Sequence, residues 1–379
     1  MIGHPTSDRV VRFQAALVGA GQEPARVVGY ADLIAGRVAL PEVVRAGAVV
    51  RIDSPDRDFA VEREILALGA EVEDSEGGYQ RASRAEIAAL GDEAGAIRFP
   101  RQWYLGYREV LRRIARQLDE CAPHRLMNHP DEIATMFDKR ACHALLAGHG
   151  VAVPRALGPV GSYEELIARM REARMSRVFV KLAHGSSASG VVAYQVAGER
   201  HQAMTTVEMV RSAEGVRLFN NRRVRVYRDR AEIAALIDAL CLHRVQVEQW
   251  IPKAGFEGRT LDLRVVVIGG AARHVVVRLS RHAMTNLHLS GGRTRGRMPL
   301  EGLEGRLSPA AWAAARETCE RAMGLFPRSL YAGIDLLIAS DFRRHAIAEV
   351  NAFGDLLFNV WYEGRDAFGE EIRLVMSDE

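Results

Sequence analysis

Near the C-terminus, three oxygen-bearing side chains stand where apolar residues belong. Asp335 sits inside the apolar run GIDLL, and Glu349 and Asn351 lie two apart in AIAEVNAF. Residues i and i+2 of a strand project from one face, so Glu349 and Asn351 point together and Asp335 can join them from a neighbouring strand. Such groups in apolar surroundings are costly unless something positive meets them. Magnesium fits, as a hard cation held by one or two carboxylates with phosphate oxygens completing its shell. A carboxylate–arginine pairing fits as well in a chain this rich in arginine, and magnesium is the reading taken forward.

The basic residues are unevenly chosen. Of 51, only Lys139, Lys181 and Lys253 are lysine, the compact point charge among planar forks. A strand-like VFVKL delivers Lys181 to a loop of small residues: Gly185, Ser186, Ser187, Ser189 and Gly190. Backbone N–H groups and hydroxyls of such a loop can approach phosphate oxygens. It is not a Walker loop, because GxxxxGK[ST] is absent, and taken alone it reads equally as a surface loop. In VEQWIPK, Glu248, Trp250, Ile251 and Lys253 form a strand end that could offer backbone groups and apolar faces to a purine, or an ordinary strand end with a core tryptophan. Arg264 and Arg278 each interrupt an apolar strand, and NLHLSGGR follows with Asn286 and His288. Guanidinium groups entering a phosphate-bearing cleft stabilise a transferring phosphoryl group. His288 receives no catalytic role.

The elements that must position these groups divide the chain into three parts: 1–123, 124–246 and 247–379. Residues 1–123 alternate strand-like runs (Ala25–Tyr30, Ala48–Ile52) with helical periodicity (Asp58–Leu68, Arg108–Leu118), the pattern of βαβ units on a parallel sheet. The opening MIGHPTSDR leaves almost no room for a strand before the first helix, so that strand is very short or the start is late. In 124–246, one helix runs from Pro130 at its first position to a stop near Gly148 and Gly150. A second helix, Ser162–Arg171, the lysine strand and short strands at Arg217–Phe219 and Val224–Tyr227 follow, then a helix over Ala231–Leu240. Arg222–Arg230 reads as a solvated charge face on a strand edge. The last part is strands with one helix from the N-cap Ser308 to about Met323.

At 379 residues and net charge +3, the chain suggests two or three domains and no nucleic-acid partner driven by the whole-molecule field. Cys121, Cys142, Cys241 and Cys319 are widely spaced, without C-x-x-C, which suggests neither a zinc site nor a disulfide framework and fits a cytoplasmic location. No apolar stretch reaches transmembrane length, and no membrane partner is expected.

The order Lys139, Lys181 with its Gly/Ser loop, Glu248-Gln-Trp-Ile, Asp-Leu-Arg264, Arg278, Asn286 with its glycine pair, Asp335 and Glu349-x-Asn351 resembles the ATP-grasp superfamily. NLHLSGG and GIDLL…EVN look closest to the branch of glutathione synthetase and the ribosomal-protein glutamate ligases. The resemblance covers about residues 124–360. It implies an α/β (α+β) architecture: a βαβ-type parallel-sheet domain in front of two α+β subdomains that clasp ATP. It implies that Lys139 and Lys181 hold the α- and β-phosphates and that the loop from Gly185 to Gly190 closes over them. Glu248 and Ile251, beside Trp250, would line the adenine pocket, with Lys253 near the ribose or the cleft rim. Asp335, Glu349 and Asn351 would bind one or two Mg2+ ions, and Arg278, Arg264 and Asn286 would act near the γ-phosphate. Two positions depart from the pattern: Ala-Phe-Gly follows Asn351 in place of a small residue with Pro-Gly, and Leu182 stands where proline often follows the lysine. The first alters the acceptor side of the cleft.

The implied chemistry activates a carboxylate as an acyl-phosphate, followed by attack of an amine. The substrates would be a small-molecule carboxylate and amine, or a peptide or protein side chain; the chain would act as a homodimer through its front domain. A nucleotide-binding regulatory protein without turnover is the rival of another class, and the intact Asp335, Glu349 and Asn351 set weighs against it.

Overall fold

The computed structural model describes residues 1–56, 58–185, 189–212, 215–285, 296–303 and 305–377. The front of the chain carries α1 (Asp8–Gly19), α2 (Tyr30–Ile34), β1 (Val49–Val50), α3 (Phe59–Glu71), α4 (Arg84–Ala88) and α5 (Pro100–Asp119). The first strand shrinks to Ile2, which makes single parallel bridges to Val28 and Ile52. The expected strand Ala25–Tyr30 is therefore one bridging residue, and Tyr30 already begins α2. β1 pairs in parallel with β2 (Arg125–Leu126). α3 and α5 pack closely because Gly69 and Gly106 have no Cβ; one on Gly106 would overlap the carbonyl oxygen of Ile65.

After β2, the single helix expected over Pro130–Gly148 is two: α6 (Pro130–Phe137) and α7 (Lys139–Gly148). Asp138 breaks it. Its backbone is extended and its side chain accepts the N–H groups of Arg140 and Ala141, so a cap inside the apolar period starts a second helix. α8 (Tyr163–Glu172) then leads into β3 (Arg177–Leu182), β4 (Val192–Ala197), β5 (Arg200–Ser212), β6 (Gly215–Tyr227), α9 (Arg230–Cys241) and β7 (Val245–Gln249). These strands form an antiparallel sheet in the order β6-β5-β4-β3-β7. The two short strands expected near 217–227 are one long strand at the sheet edge, paired with β5.

The third part holds β8 (Gly255–Phe256), β9 (Arg259–Ile268), β10 (Ala271–Ser280), β11 (Arg297–Met298), α10 (Pro309–Met323), β12 (Tyr331–Ile338), β13 (His345–Asn351) and α11 (Ala367–Met376). Its sheet runs β11-β10-β9-β12-β13, with β8 on β9. The near-continuous burial of Leu261, Leu263, Val265, Val266, Val267 and Ile268 shows that β9 is covered on both faces. Ser308 caps α10, and its first position is Pro309. The four cysteines are free, and no helix among the described residues is long and apolar enough to cross a membrane.

Candidate active site

The polar residues of the C-terminal sheet meet because its register brings them opposite one another. Asp335 pairs with Glu349 on β13 and with Arg264 on β9, and Arg278 on β10 pairs with Asp262 on β9. Arg264 Nε donates to Asp335 Oδ1 at 2.6 Å, and a nitrogen of Arg278 lies 3.0 Å from the same oxygen. Arg278 Nε donates to Asp262 Oδ1 at 2.6 Å. Asp262 Oδ2 accepts from Lys253 Nζ at 3.0 Å and from the Thr285 hydroxyl. One alternating chain of charge thus runs Lys253, Asp262, Arg278, Asp335, Arg264. Burial opposes ionisation of Asp335, but Arg264 and Arg278 hold its carboxyl below the usual range. Burial also lowers the Lys253 ammonium, against the pull of Asp262.

Across the cleft, Lys139 at the start of α7 donates from Nζ to the carbonyl oxygen of Gly185 at 2.6 Å and meets Glu349 Oε1 at 2.6 Å. Lys181 on β3 is paired with Glu248 on β7; the two strands are hydrogen-bonded neighbours. Lys139, Lys181, Glu248 and Glu349 line one cleft between the two sheets, together with Met136, Cys142 and Val350. Burial and the nearby Glu349 push the Cys142 thiol up to about 12, which leaves it a neutral, apolar wall. Trp250 follows β7 and packs its ring 5.3 Å from that of Phe179, in a cluster with Val191 and Met284. Ile251 comes next in the chain and is half-buried, and the backbone of Lys253 bridges to Ala339.

The residues read separately along the sequence therefore converge. Asp335, Glu349 and Asn351 share two adjacent strands. Asn351 Nδ2 donates to the carbonyl oxygen of Gly333 at 3.2 Å, which commits the amide nitrogen and leaves its oxygen for a cation. Two carboxylates and an amide oxygen suit a hard ion. In the structure as it stands, the carboxylates are met by Arg264, Arg278 and Lys139. Among the described residues, no group of three or more His, Cys, Asp or Glu side chains is arranged to hold a metal. A close approach shapes this end of the cleft: a Cβ on Gly333 would collide with the backbone of Gly354, whose carbonyl oxygen accepts from Arg264 at 3.2 Å. Gly185, Ser189 and Gly190 bracket positions 186–188, and Gly190 takes the left-handed backbone (φ 67°) that favours glycine. Ser186, Ser187, Asn286 and His288 lie outside the described residues.

Asp262, quoted with Arg264 in the sequence but given no role there, joins this cluster. It is 3% exposed and holds Lys253 and Arg278 together. The signal was present: in LDLR it stands two before Arg264, on the same strand face.

No protein-family model matches the chain, and no curated protein matches it in sequence. Solved structures do match over essentially their full length. The macrocyclase MdnC from Microcystis aeruginosa MRC, bound with precursor peptide MdnA, superposes with a TM-score of 0.55 at 12% identity, covering 100% of this chain and 98% of that one. The D-cycloserine synthetase DcsG gives 0.53 at 15% identity, covering 100% and 98%. The ATP-grasp ligase PsnB, complexed with a phosphomimetic variant of its minimal precursor, Mg and ADP, gives 0.52 at 16% identity, covering 99% and 96%. The fold is that of the ATP-grasp ligases, and at these identities the likeness is one of fold.

Proposed function

We propose that this chain is an ATP-dependent carboxylate–amine ligase. The observation that carries the reading is the convergence of Lys139, Lys181, Glu248 and Glu349 on one cleft between two sheets, beside the charge chain that includes Asp335. Lys139 and Lys181 would exchange Glu349 and Glu248 for the α- and β-phosphates. Glu248, Trp250 and Ile251 would border the adenine, and Lys253 would stay a buried support for Asp262. Asp335, Glu349 and Asn351 would hold magnesium, whose charge offsets that of the phosphates. Arg264 and Arg278 would stabilise the γ-phosphoryl group as it leaves ATP for a carboxylate oxygen. An amine nitrogen then attacks the acyl carbon, phosphate departs with the C–O bonding electrons, and the amine proton passes to solvent. Positioning and charge neutralisation account for such catalysis, so no side-chain nucleophile is required.

The carboxylate and amine are read as small molecules or amino acids, as for DcsG, a D-cycloserine synthetase, and for the glutathione synthetase branch. A peptide substrate is the second reading. It is favoured by two neighbours of nearly equal length that were solved with precursor peptides. The test is incubation with ATP, magnesium, hydroxylamine and panels of carboxylic acids and acidic peptides. ADP, phosphate and hydroxamate are the expected products, and the panel that yields hydroxamate separates the two readings. AMP with pyrophosphate, or no turnover with any acid or peptide, would contradict the proposal.

A further inference from the structure

A second buried cluster gathers around His184, just before Gly185, and the chemistry described so far makes no use of it. His184 sits between Lys181 and Gly185, is 4% exposed, and packs its ring 4.2 Å from that of Tyr104 on α5. Its Nε2 is 3.1 Å from Asp138 Oδ2 and 3.2 Å from a nitrogen of Arg101. Arg101 holds Asp74 through Nε and Nη2 at 2.8 and 2.9 Å, and its Nη1 lies 3.7 Å from Asp138 Oδ2. With the proton on Nε2, His184 donates a hydrogen bond to Asp138, and Arg101 Nη1 faces the same carboxylate rather than bonding to the ring. Burial opposes ionisation of Asp138, yet the bond from His184 helps to hold its carboxyl at about 2. Burial lowers the His184 imidazole, against the pull of Asp138.

This contact joins two short segments that both handle the proposed phosphates. Asp138 caps α7, whose first residue is Lys139. The backbone N–H of Lys139 donates to Ala183 at 3.0 Å, and its Nζ donates to Gly185 at 2.6 Å. His184 lies between those two acceptors and closes the clip from the opposite side. The front of the chain reinforces it. Glu76 meets Arg140 of α7 at 3.2 Å, and Gln80 donates from its backbone to Leu242, beyond α9, at 2.7 Å. The segment from Asp74 to Gln80 and the start of α5 therefore brace the phosphate end of the cleft, although they carry none of its ligands.

We propose that His184 and Arg101 are positioning residues for nucleotide binding: through Asp138 they fix Lys139 and the Gly185 end of the loop in the geometry that receives the phosphates. The inference rests on the ligase reading of the cleft. A charge-assisted hydrogen bond at a buried site is worth enough to change binding by about tenfold when it is removed. His184→Phe keeps the stack on Tyr104 and removes the donor, whereas His184→Gln returns an N–H at similar reach.

The test is calorimetric titration of the full chain with magnesium plus ADP, alongside thermal melting of each variant. The Phe variant is expected to bind about tenfold more weakly with its melting transition near that of the wild type, and the Gln variant to recover most of the affinity. Arg101→Lys, which keeps the charge and loses the fork to Asp74, is expected to weaken binding by about threefold, and it serves as the readout should the Phe variant fail to fold. Undiminished binding by the Phe variant, or equal loss in the Phe and Gln variants, would overturn the inference alone. Wild-type protein that binds no nucleotide would overturn the ligase reading and this inference with it.

Discussion

Two five-residue networks of alternating charge meet the segment 353–355, one through Arg9 on Phe353 and Asp355 and the other through Arg264 on Gly354, and they differ in sign and in access. In the first, Arg9 and Arg51 meet Asp53, Asp355 and Glu371: Arg51 donates to Glu371 and Asp355 at 2.6 Å each and to Asp53 at 3.2 Å. Four of its five side chains are sealed: Arg51, Asp53, Asp355 and Glu371 are 1% exposed or less, and Arg9 alone reaches solvent, at 13%. Arg51 lies under the rings of Phe13, Tyr331 and Phe368. Three carboxylates face two guanidinium groups there, and burial together with Asp355 pushes the Glu371 carboxyl well above its usual range. That direction is the one an excess of buried negative charge produces. The cleft network has the opposite excess, with Lys253, Arg264 and Arg278 against Asp262 and Asp335. Its outer pair remains within reach of solvent, with the Arg264 and Asp335 side chains 15% and 14% exposed. Buried surplus negative charge favours the protonated form of a carboxyl; an open network with surplus positive charge is suited to an anion such as a phosphate.

The largest expected effect comes from breaking the sealed side. Arg51→Met leaves three buried carboxylates short of a partner and should cost about 3–5 kcal/mol, read as an earlier urea midpoint. A stability change below about 1 kcal/mol would show that the cluster does not hold the front of the chain to α11. Asp335→Asn should do the reverse. Arg278 keeps Asp262 and Arg264 keeps the carbonyl of Gly354, so the urea midpoint moves little while hydroxamate formation falls about a hundredfold. Equal activity would remove Asp335 from the chemistry.

Smaller effects sharpen the contrast through pH. The folded pKa of Glu371 is raised, so the stability tied to it is fully present below its ordinary value of 4.5 and is lost as pH rises through the folded value. Glu371→Gln should flatten that loss and cost little at neutral pH. Asp53 runs the other way. Burial opposes its charge, but Arg9 and Arg51 bring its carboxyl to about 2, so its contribution is present above 3.8 and is lost as pH falls through about 2. Asp53→Asn should remove that acid-side loss, and an unchanged acid titration would contradict the assignment. The smallest effect belongs to a solvated pair: Arg217→Ala leaves Glu93 with Arg98 at an exposed site, and the urea midpoint should stay nearly unchanged.

How much of this was legible in the sequence followed the range of the contacts. Asp335, Glu349 and Asn351 could be read from a two-residue period and one strand pairing, and the register placed them as that period implied. The helix starts at Ser162 and Ser308 could be read because a cap is local. The break at Asp138 was missed because its neighbours fit one continuous helical period, and only the side-chain bonds to Arg140, Ala141 and His184 decide against it. The length of β5 and β6 was missed because their pairing, rather than their composition, defines them. Arg51 and Glu371 lie 320 positions apart, and no local pattern connects them. His184 was passed over as a loop residue for the same reason, since Arg101 and Tyr104 reach it from the front of the chain.

The most direct test of the central claim, that the open network and the facing lysines form a magnesium–nucleotide site, is a titration of the wild type and a Glu349→Gln variant with ADP, with and without magnesium. Binding by the wild type that strengthens with magnesium, and loses that dependence in the variant, is the predicted result. Binding of ADP that ignores both magnesium and the substitution, or no binding at all, would contradict it.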